Sequence, residues 1–220
     1  AELENFQSSG QKIAELKTQV QALYADAKKA AEALTQSRLK GFTAMNKEMR
    51  AALEFLNMPG IRFALKHTRG PLSSHGQDTV EFLISTNPGE EPKPLAKIAS
   101  GGEMSRVMLA LKTVLVDADE IGTFIFDEID TGVSGRTARR VGEKMRFLGG
   151  KRQLLCITHL PQIAAMADNH FLIEKESDAG ETVTRVTALD EEGAVREVAR
   201  LMNDVTETTL AAARELLAEK

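Results

Sequence analysis

The segment Thr123-Phe124-Ile125-Phe126-Asp127-Glu128 decides how the rest of the chain is read. Four apolar residues without polar alternation suit a strand buried on both faces, and such strands belong to parallel sheets. A helix is predicted before it, from about Gly102 to Val116, and another after it, from about Ser134 to Leu148. A second apolar run, Gln153 to Thr158, follows. Strand, helix and strand of this length form a right-handed crossover between neighbouring parallel strands. The predicted fold class is therefore α/β.

Ligands of such sheets gather beyond the carboxyl ends of the strands. Asp127-Glu128 stand at one such end and Thr158-His159 at the next. Two adjacent acids point in different directions. Asp127 therefore suits Mg²⁺, directly or through its waters, and Glu128 suits orienting and deprotonating a water. The same acids also fit a plain turn capped by Asp130. His159 could hydrogen-bond a phosphate or the water that attacks it, although a lone histidine can equally be structural.

Upstream, Ser100-Gly101-Gly102-Glu103 opens the first of these helices. Ser-x-x-Glu reads as a capping box, which accounts for Ser100 and Glu103. It does not account for paired glycines in a first helical turn, where glycine is costly unless something must approach the backbone. Free amides at a helix start attract anions, so the second reading is a phosphate-facing helix end. A phosphate loop of the form G-x-x-x-x-G-K-[ST] is missing. The only Gly-Lys, Gly150-Lys151, is followed by Arg152, and Met145 stands where the first glycine would be.

Residues 1–58 read as an arm. Ile13, Leu16, Val20, Leu23, Ala27, Ala30 and Leu34 follow the three-and-four spacing of a coiled-coil seam. The register skips at Ser37 and Gly41 and resumes at Phe42, Met45, Met49, Leu53 and Leu56, so a stutter or kink is expected near Gly41. A long core helix of a bundle is the plainer alternative, but the narrow stripe and polar remainder favour a protruding arm with a partner strand. Pro59-Gly60 ends it. Residues 59–220 form the second unit. Strands are expected at Ile61 to Lys66 and Thr79 to Thr86, with Arg69-Gly70-Pro71 and Ser73 to Gln77 as loop. Asn87 to Pro94 reads as loop. Strands at Phe171 to Lys175 and Thr182 to Leu189 flank the turn Ser177-Asp178-Ala179-Gly180, and helices near Glu192 to Met202 and Glu207 to Ala218 follow.

Composition is that of an ordinary globular protein, with 42% hydrophobic and 27% charged residues. A formal net charge of −4 argues against coating nucleic acid by bulk charge. The single cysteine, Cys156, fits a reducing cytoplasm, and no apolar stretch is long enough to span a membrane, so no membrane partner is expected. Because Ala1 falls within a predicted helix, a fragment is expected.

In order along the chain, these motifs resemble those of the ABC ATPase superfamily. Ser100 to Glu103 is similar to its signature motif, Phe124 to Glu128 to Walker B, Asp130 to the D-loop aspartate and His159 to the switch histidine. Within the superfamily, residues 42–220 resemble the RecN family of bacterial SMC-like DNA repair ATPases. That resemblance rests on Ala99-Ser100-Gly101-Gly102-Glu103-Met104-Ser105-Arg106, on Phe126-Asp127-Glu128-Ile129-Asp130-Thr131-Gly132-Val133-Ser134-Gly135 and on Cys156-Ile157-Thr158-His159-Leu160-Pro161-Gln162-Ile163-Ala164.

The resemblance implies the C-terminal lobe of an ABC/SMC-type ATPase head, a parallel sheet with flanking helices, preceded by a coiled-coil helix. It implies ATP and Mg²⁺ as cofactors, with an N-terminal Walker A lobe of the same protein and a second head, as a homodimer, completing the site. Ser100, Gly101, Gly102 and Glu103 would then face nucleotide on the partner head. Asp127, Glu128 and His159 would face nucleotide on their own, and Asp130 would be a further nucleotide-binding residue. It also implies double-strand-break repair by recombination and a nucleoid-associated cytoplasmic location.

The alternative is a DNA-tethering module in which hydrolysis is secondary. Its support is the basic series Arg136, Arg139, Arg140, Lys144, Arg146, Lys151 and Arg152, opposed only by Glu143. Arg136, Arg140 and Lys144 share one helix face, which equally fits a solvated surface. An ABC transporter subunit is disfavoured by the heptad arm.

Overall fold

A computed structural model describes the backbone of residues 2–87, 89–97, 100–178 and 181–219, and their side chains except at 2–8, 176–178 and 181. The first element, α1, runs from Glu2 to Phe55. At 1.5 Å per residue it is about 80 Å long. It continues unbroken through Gly41, so the skipped register does not interrupt the helix. What changes along it is the neighbour. Ile13, Leu16, Val20 and Leu23 lie 49–68% exposed, whereas Met49, Leu53 and Leu56 are 0–1% exposed. Asn57, at φ 61°, and the bond from Met58 N–H to Leu53 O close the helix in a left-handed turn before Pro59.

β1 (Arg62–Ser73) and β2 (Gly76–Ser85) form an antiparallel hairpin that lies along the second half of α1. The strands pass through Arg69-Gly70-Pro71, expected as loop, with an irregular register between Arg69 and Ser73. Pro71 is tolerated because β1 is the edge strand, where a missing N–H costs no ladder bond. Lys93–Pro94, also expected as loop, adds to the other edge of β2 as the two-residue strand β3. The rings of Phe42, Phe63 and Phe82 stack between helix and hairpin, with centroids 5.2–6.3 Å apart.

Further out, a polar joint replaces the apolar contact. The Asp78 carboxylate on β2 is wholly buried. It accepts from Thr35 Oγ1 at 2.7 Å and Arg38 Nη1 at 3.3 Å, both on α1, and lies 2.7 Å from His67 Nε2 on β1. The Thr35 hydroxyl first, then His67 and Arg38, hold the Asp78 carboxyl below its ordinary range. From Ala31 onward, α1 therefore belongs physically to the body of the protein.

The α/β unit follows the predicted order: α2 (Gly101–Val114), β4 (Thr123–Phe126), α3 (Gly135–Gly149) and β5 (Gln153–Cys156). β4 and β5 pair in parallel, Phe126 opposite Cys156. Phe124 and Phe126 enter a core shared with Val107 and Leu109 of α2, Val141 and Leu148 of α3, and Met49 and Leu53 of α1. The opposite face is open: Ile125 is 69% exposed, and Leu155 beside it is exposed as well. The expectation of a strand buried on both faces is met on one face only. A short helix, α4 (Pro161–Ala164), is followed by the hairpin β6 (His170–Asp178) and β7 (Glu181–Leu189). The predicted turn residues Ala179 and Gly180 lie outside the described residues. α5 (Glu191–Met202) and α6 (Glu207–Ala218) pack together through Val195, Val198, Ala199 and Ala213.

Candidate functional site

The crossover brings two chain segments to one edge of the sheet. After the parallel strands end, Ile157 N–H still donates to Phe126 O at 3.0 Å, so the residues beyond each strand stay side by side. Asp127 and Glu128 emerge exposed from β4, and Asp127 Oδ1 accepts from Glu128 N–H at 2.9 Å. Glu128 takes φ 56°, a left-handed conformation that costs a non-glycine residue about 1–3 kcal/mol. The surrounding bonds hold it there. Thr131 N–H donates to Glu128 O at 3.1 Å, and Ser105 Oγ on α2 donates to Asp127 O at 3.0 Å.

Asp130 turns inward and is 4% exposed. Its Oδ2 accepts from Thr158 Oγ1 at 2.7 Å and His159 N–H at 2.8 Å, and lies 2.9 Å from His159 Nδ1. One carboxylate thus clamps the loop after β5 to the loop after β4. The His159 ring is 71% exposed; with Nδ1 turned to Asp130, Nε2 is the nitrogen left to meet a ligand.

The start of α2 forms the second wall. Ser100 Oγ accepts from Glu103 N–H at 3.4 Å, and the reciprocal bond of a capping box is absent among the described residues. Gly102 has a steric reason. A Cβ on Gly101 would stand 2.5 Å from Glu128 Oε2, and one on Gly102 would stand 2.6 Å from Thr131 O. Thr131 O is backbone and cannot swing aside, so Gly102 lets the helix end lie directly on this loop. The Glu128 tip near Gly101, in contrast, is a side-chain end free to move. Ala99, in the motif quoted above, lies outside the described residues.

Sequence reading gives no role of their own to Ser105, Arg106 and Thr158, which tie these pieces together. An arginine and a serine in the second turn of an otherwise apolar helix were the available signal. Cys156 beneath the loops is chemically quiet: burial, then Asp130 and Asp127, push its thiol up to about 12. Among the described residues no three His, Cys, Asp or Glu side chains group to hold a metal ion. A single strand-end aspartate with one oxygen engaged nevertheless fits Mg²⁺, which keeps waters and takes one or two carboxylates beside substrate phosphates.

The basic helix face is largely engaged within the chain. Arg139 pairs with Glu143 at 3.3 Å and Glu219 at 2.8 Å. Arg140 donates to Phe55 O at 3.4 Å, and both Arg140 and Lys144 lie over the Phe55 ring. Lys151 pairs with Asp117, and Arg152 donates to Val116 O and Asp119 O. Arg136 is exposed. These bonds fasten α3 to the end of α1 and to the turn after α2.

In architecture the chain has the fold of part of an Smc head domain and carries a helical arm. The Smc head domain with a coiled coil and joint from Pyrococcus yayanosii has the same fold, with a TM-score of 0.52 and 21% identity over 91% of this chain and 38% of that one. No protein-family profile matches the chain. In sequence it is 41% identical to the DNA repair protein RecN of Halalkalibacterium halodurans over 223 residues, covering 98% of this chain and 40% of that protein. It is 46% identical to the DNA repair protein RecN of Treponema pallidum, covering 96% of this chain and 38% of that protein. The chain spans about two-fifths of the length of these relatives. Over the segment it spans, the chain is similar to these RecN proteins along nearly its whole length. Among the described residues no helix is long and apolar enough to cross a membrane.

Proposed function

We propose that this chain is the catalytic part of an ATP-hydrolysing head that acts in DNA double-strand-break repair. The observation carrying the proposal is that neighbouring parallel strands deliver Glu128 and His159 to one sheet edge, with buried Asp130 holding the His159 ring and clamping the two loops together. Glu128 is the general base that orients and deprotonates the attacking water. Asp127 would hold Mg²⁺, which would supply the positive charge that offsets charge developing on the phosphates. His159, fixed through Nδ1, presents Nε2 to the γ-phosphate or the attacking water, and Asp130 acts by setting that ring and the D-loop.

Two parts of the machinery lie elsewhere. The missing phosphate loop is assigned to an N-terminal Walker A lobe of the same protein, and the open face carrying Ile125 and Leu155 suits its docking. Ser100, Gly101, Gly102 and Glu103 serve nucleotide bound by a second head in a homodimer, because a helix N-terminus suits a phosphate. The name of the RecN relatives supports DNA as the partner on which the cycle acts. The internal pairing of Arg139, Arg140 and Lys144 gives no particular support to this face as the DNA contact.

The test is Glu128→Gln in the complete protein. ATP binding should persist while turnover falls by about 100-fold or more, the range for loss of a general base. Normal hydrolysis in that variant would refute the assignment.

A further inference from the structure

Arg106 sits in the second turn of α2 and is only 7% exposed. No ion pair with a carboxylate compensates its burial among the described residues. Nη1 instead donates to Thr131 O at 2.8 Å and Ile129 O at 3.3 Å, while Nε is buried without a partner. Burial pushes the guanidinium below its ordinary value, and nearby Glu103 acts to raise it. A buried cation satisfied only by carbonyls is a costly way to fill space; an apolar side chain of similar size would serve packing better.

Its two acceptors place it at a particular junction. Ile129 and Thr131 belong to the loop that starts with Glu128 in its left-handed conformation. On the other side, a Cβ on Gly102 would come within 3.2 Å of Nη1. One guanidinium nitrogen thus lies between the phosphate-facing end of α2 and the backbone that sets Glu128. A shift of the helix end must move the two carbonyls or break their bonds.

We infer that Arg106 is a positioning residue that couples nucleotide seated against Ser100–Gly102 to the placement of Glu128, and so links the two ATP sites of a head pair. This inference rests on the hydrolytic reading above. A phosphate drawn to the end of α2 acts on Glu128 of the same chain, whose own nucleotide is the second one. Hydrolysis at one site then depends on occupancy of the other.

The experiment compares ATP turnover of the complete protein with its Arg106→Met and Arg106→Lys variants. Val141→Ala, a core change in α3 that touches no hydrogen bond of Arg106, serves as the stability control. Arg106→Met should lose about 10- to 100-fold in kcat, as small misplacements of catalytic groups do, with KM for ATP unchanged and cooperativity in ATP lost. Arg106→Lys, which keeps a charged donor, should recover most of kcat. Val141→Ala should lower the Tm and keep both kcat and cooperativity. If Arg106→Met does not fold, Arg106→Gln replaces it, since its shorter, uncharged side chain keeps polar donors but does not reach where Nη1 stands. Wild-type kcat and cooperativity in Arg106→Met, or losses matched by Val141→Ala, would overturn the coupling. Normal hydrolysis in Glu128→Gln would instead remove the hydrolytic reading itself. An inactive Glu128→Gln beside a fully active Arg106→Met would remove the coupling alone.

Discussion

The two halves of α1 carry the same heptad pattern and meet opposite surroundings. Near its start, Ile13, Leu16, Val20 and Leu23 form a seam that faces solvent. Near its end, Met49, Leu53 and Leu56 are sealed into the core beside Val107, Phe124 and Val141. Between them the helix is fastened by polar bonds, Thr35 and Arg38 to Asp78, rather than by apolar contact. A periodic stripe shows that a helix has a buried side, but what covers that side depends on residues far away in sequence.

Substitutions along the helix should separate these three zones. Leu53→Ala opens a cavity in the core and should cost about 2–5 kcal/mol in urea unfolding. A loss below the size of the next effect would show that the arm base is not part of the cooperative core. Thr35→Val leaves the buried Asp78 short of a donor and should cost about 1–3 kcal/mol. Because the Asp78 carboxyl is held below its ordinary value of 3.8, its contribution is present above that pH. That contribution is lost as pH falls through the lower folded value. Unfolding series at decreasing pH should therefore show the difference between wild type and Asp78→Asn narrowing only in acid. A constant difference would remove Asp78 as the charged centre of the joint. Leu16→Ala, on the open seam, should change the stability of this chain by less than about 0.5 kcal/mol. A larger loss would mean the arm already has a partner, for instance a second copy.

Most of the α/β unit was legible in the sequence because its signals are local. The apolar run Thr123 to Phe126 matches β4 residue for residue, and the helices on either side fall within two residues of the prediction. The β1–β2 hairpin was cut short because Gly70 and Pro71 break strands in general. An edge strand with an irregular register tolerates them, and edge position cannot be read from one sequence. The joint was invisible for another reason: Thr35 and Asp78 lie 43 positions apart and neither belongs to a motif.

At the site, Asp127, Glu128 and His159 were legible as residue types at strand ends. The inward turn of Asp130 was not, since its partners Thr158 and His159 come from the neighbouring loop. The basic series read as a possible surface, and the ion pairs of Arg139 and the stacking of Arg140 on Phe55 depend on the chain ends folding back. The signature glycines read as phosphate-facing. The structure adds that Gly102 is also required for the helix end to touch the Thr131 backbone.

The open seam of α1, the uncovered face of β4 and β5, and the absent phosphate loop fit the proposal that this chain carries half of a site. Calorimetric titration of Mg²⁺ and ATP into the chain by itself tests that claim most directly. The account predicts very weak binding, because the sequence holds no phosphate loop of the form G-x-x-x-x-G-K-[ST]; micromolar affinity of the isolated chain for ATP would contradict it.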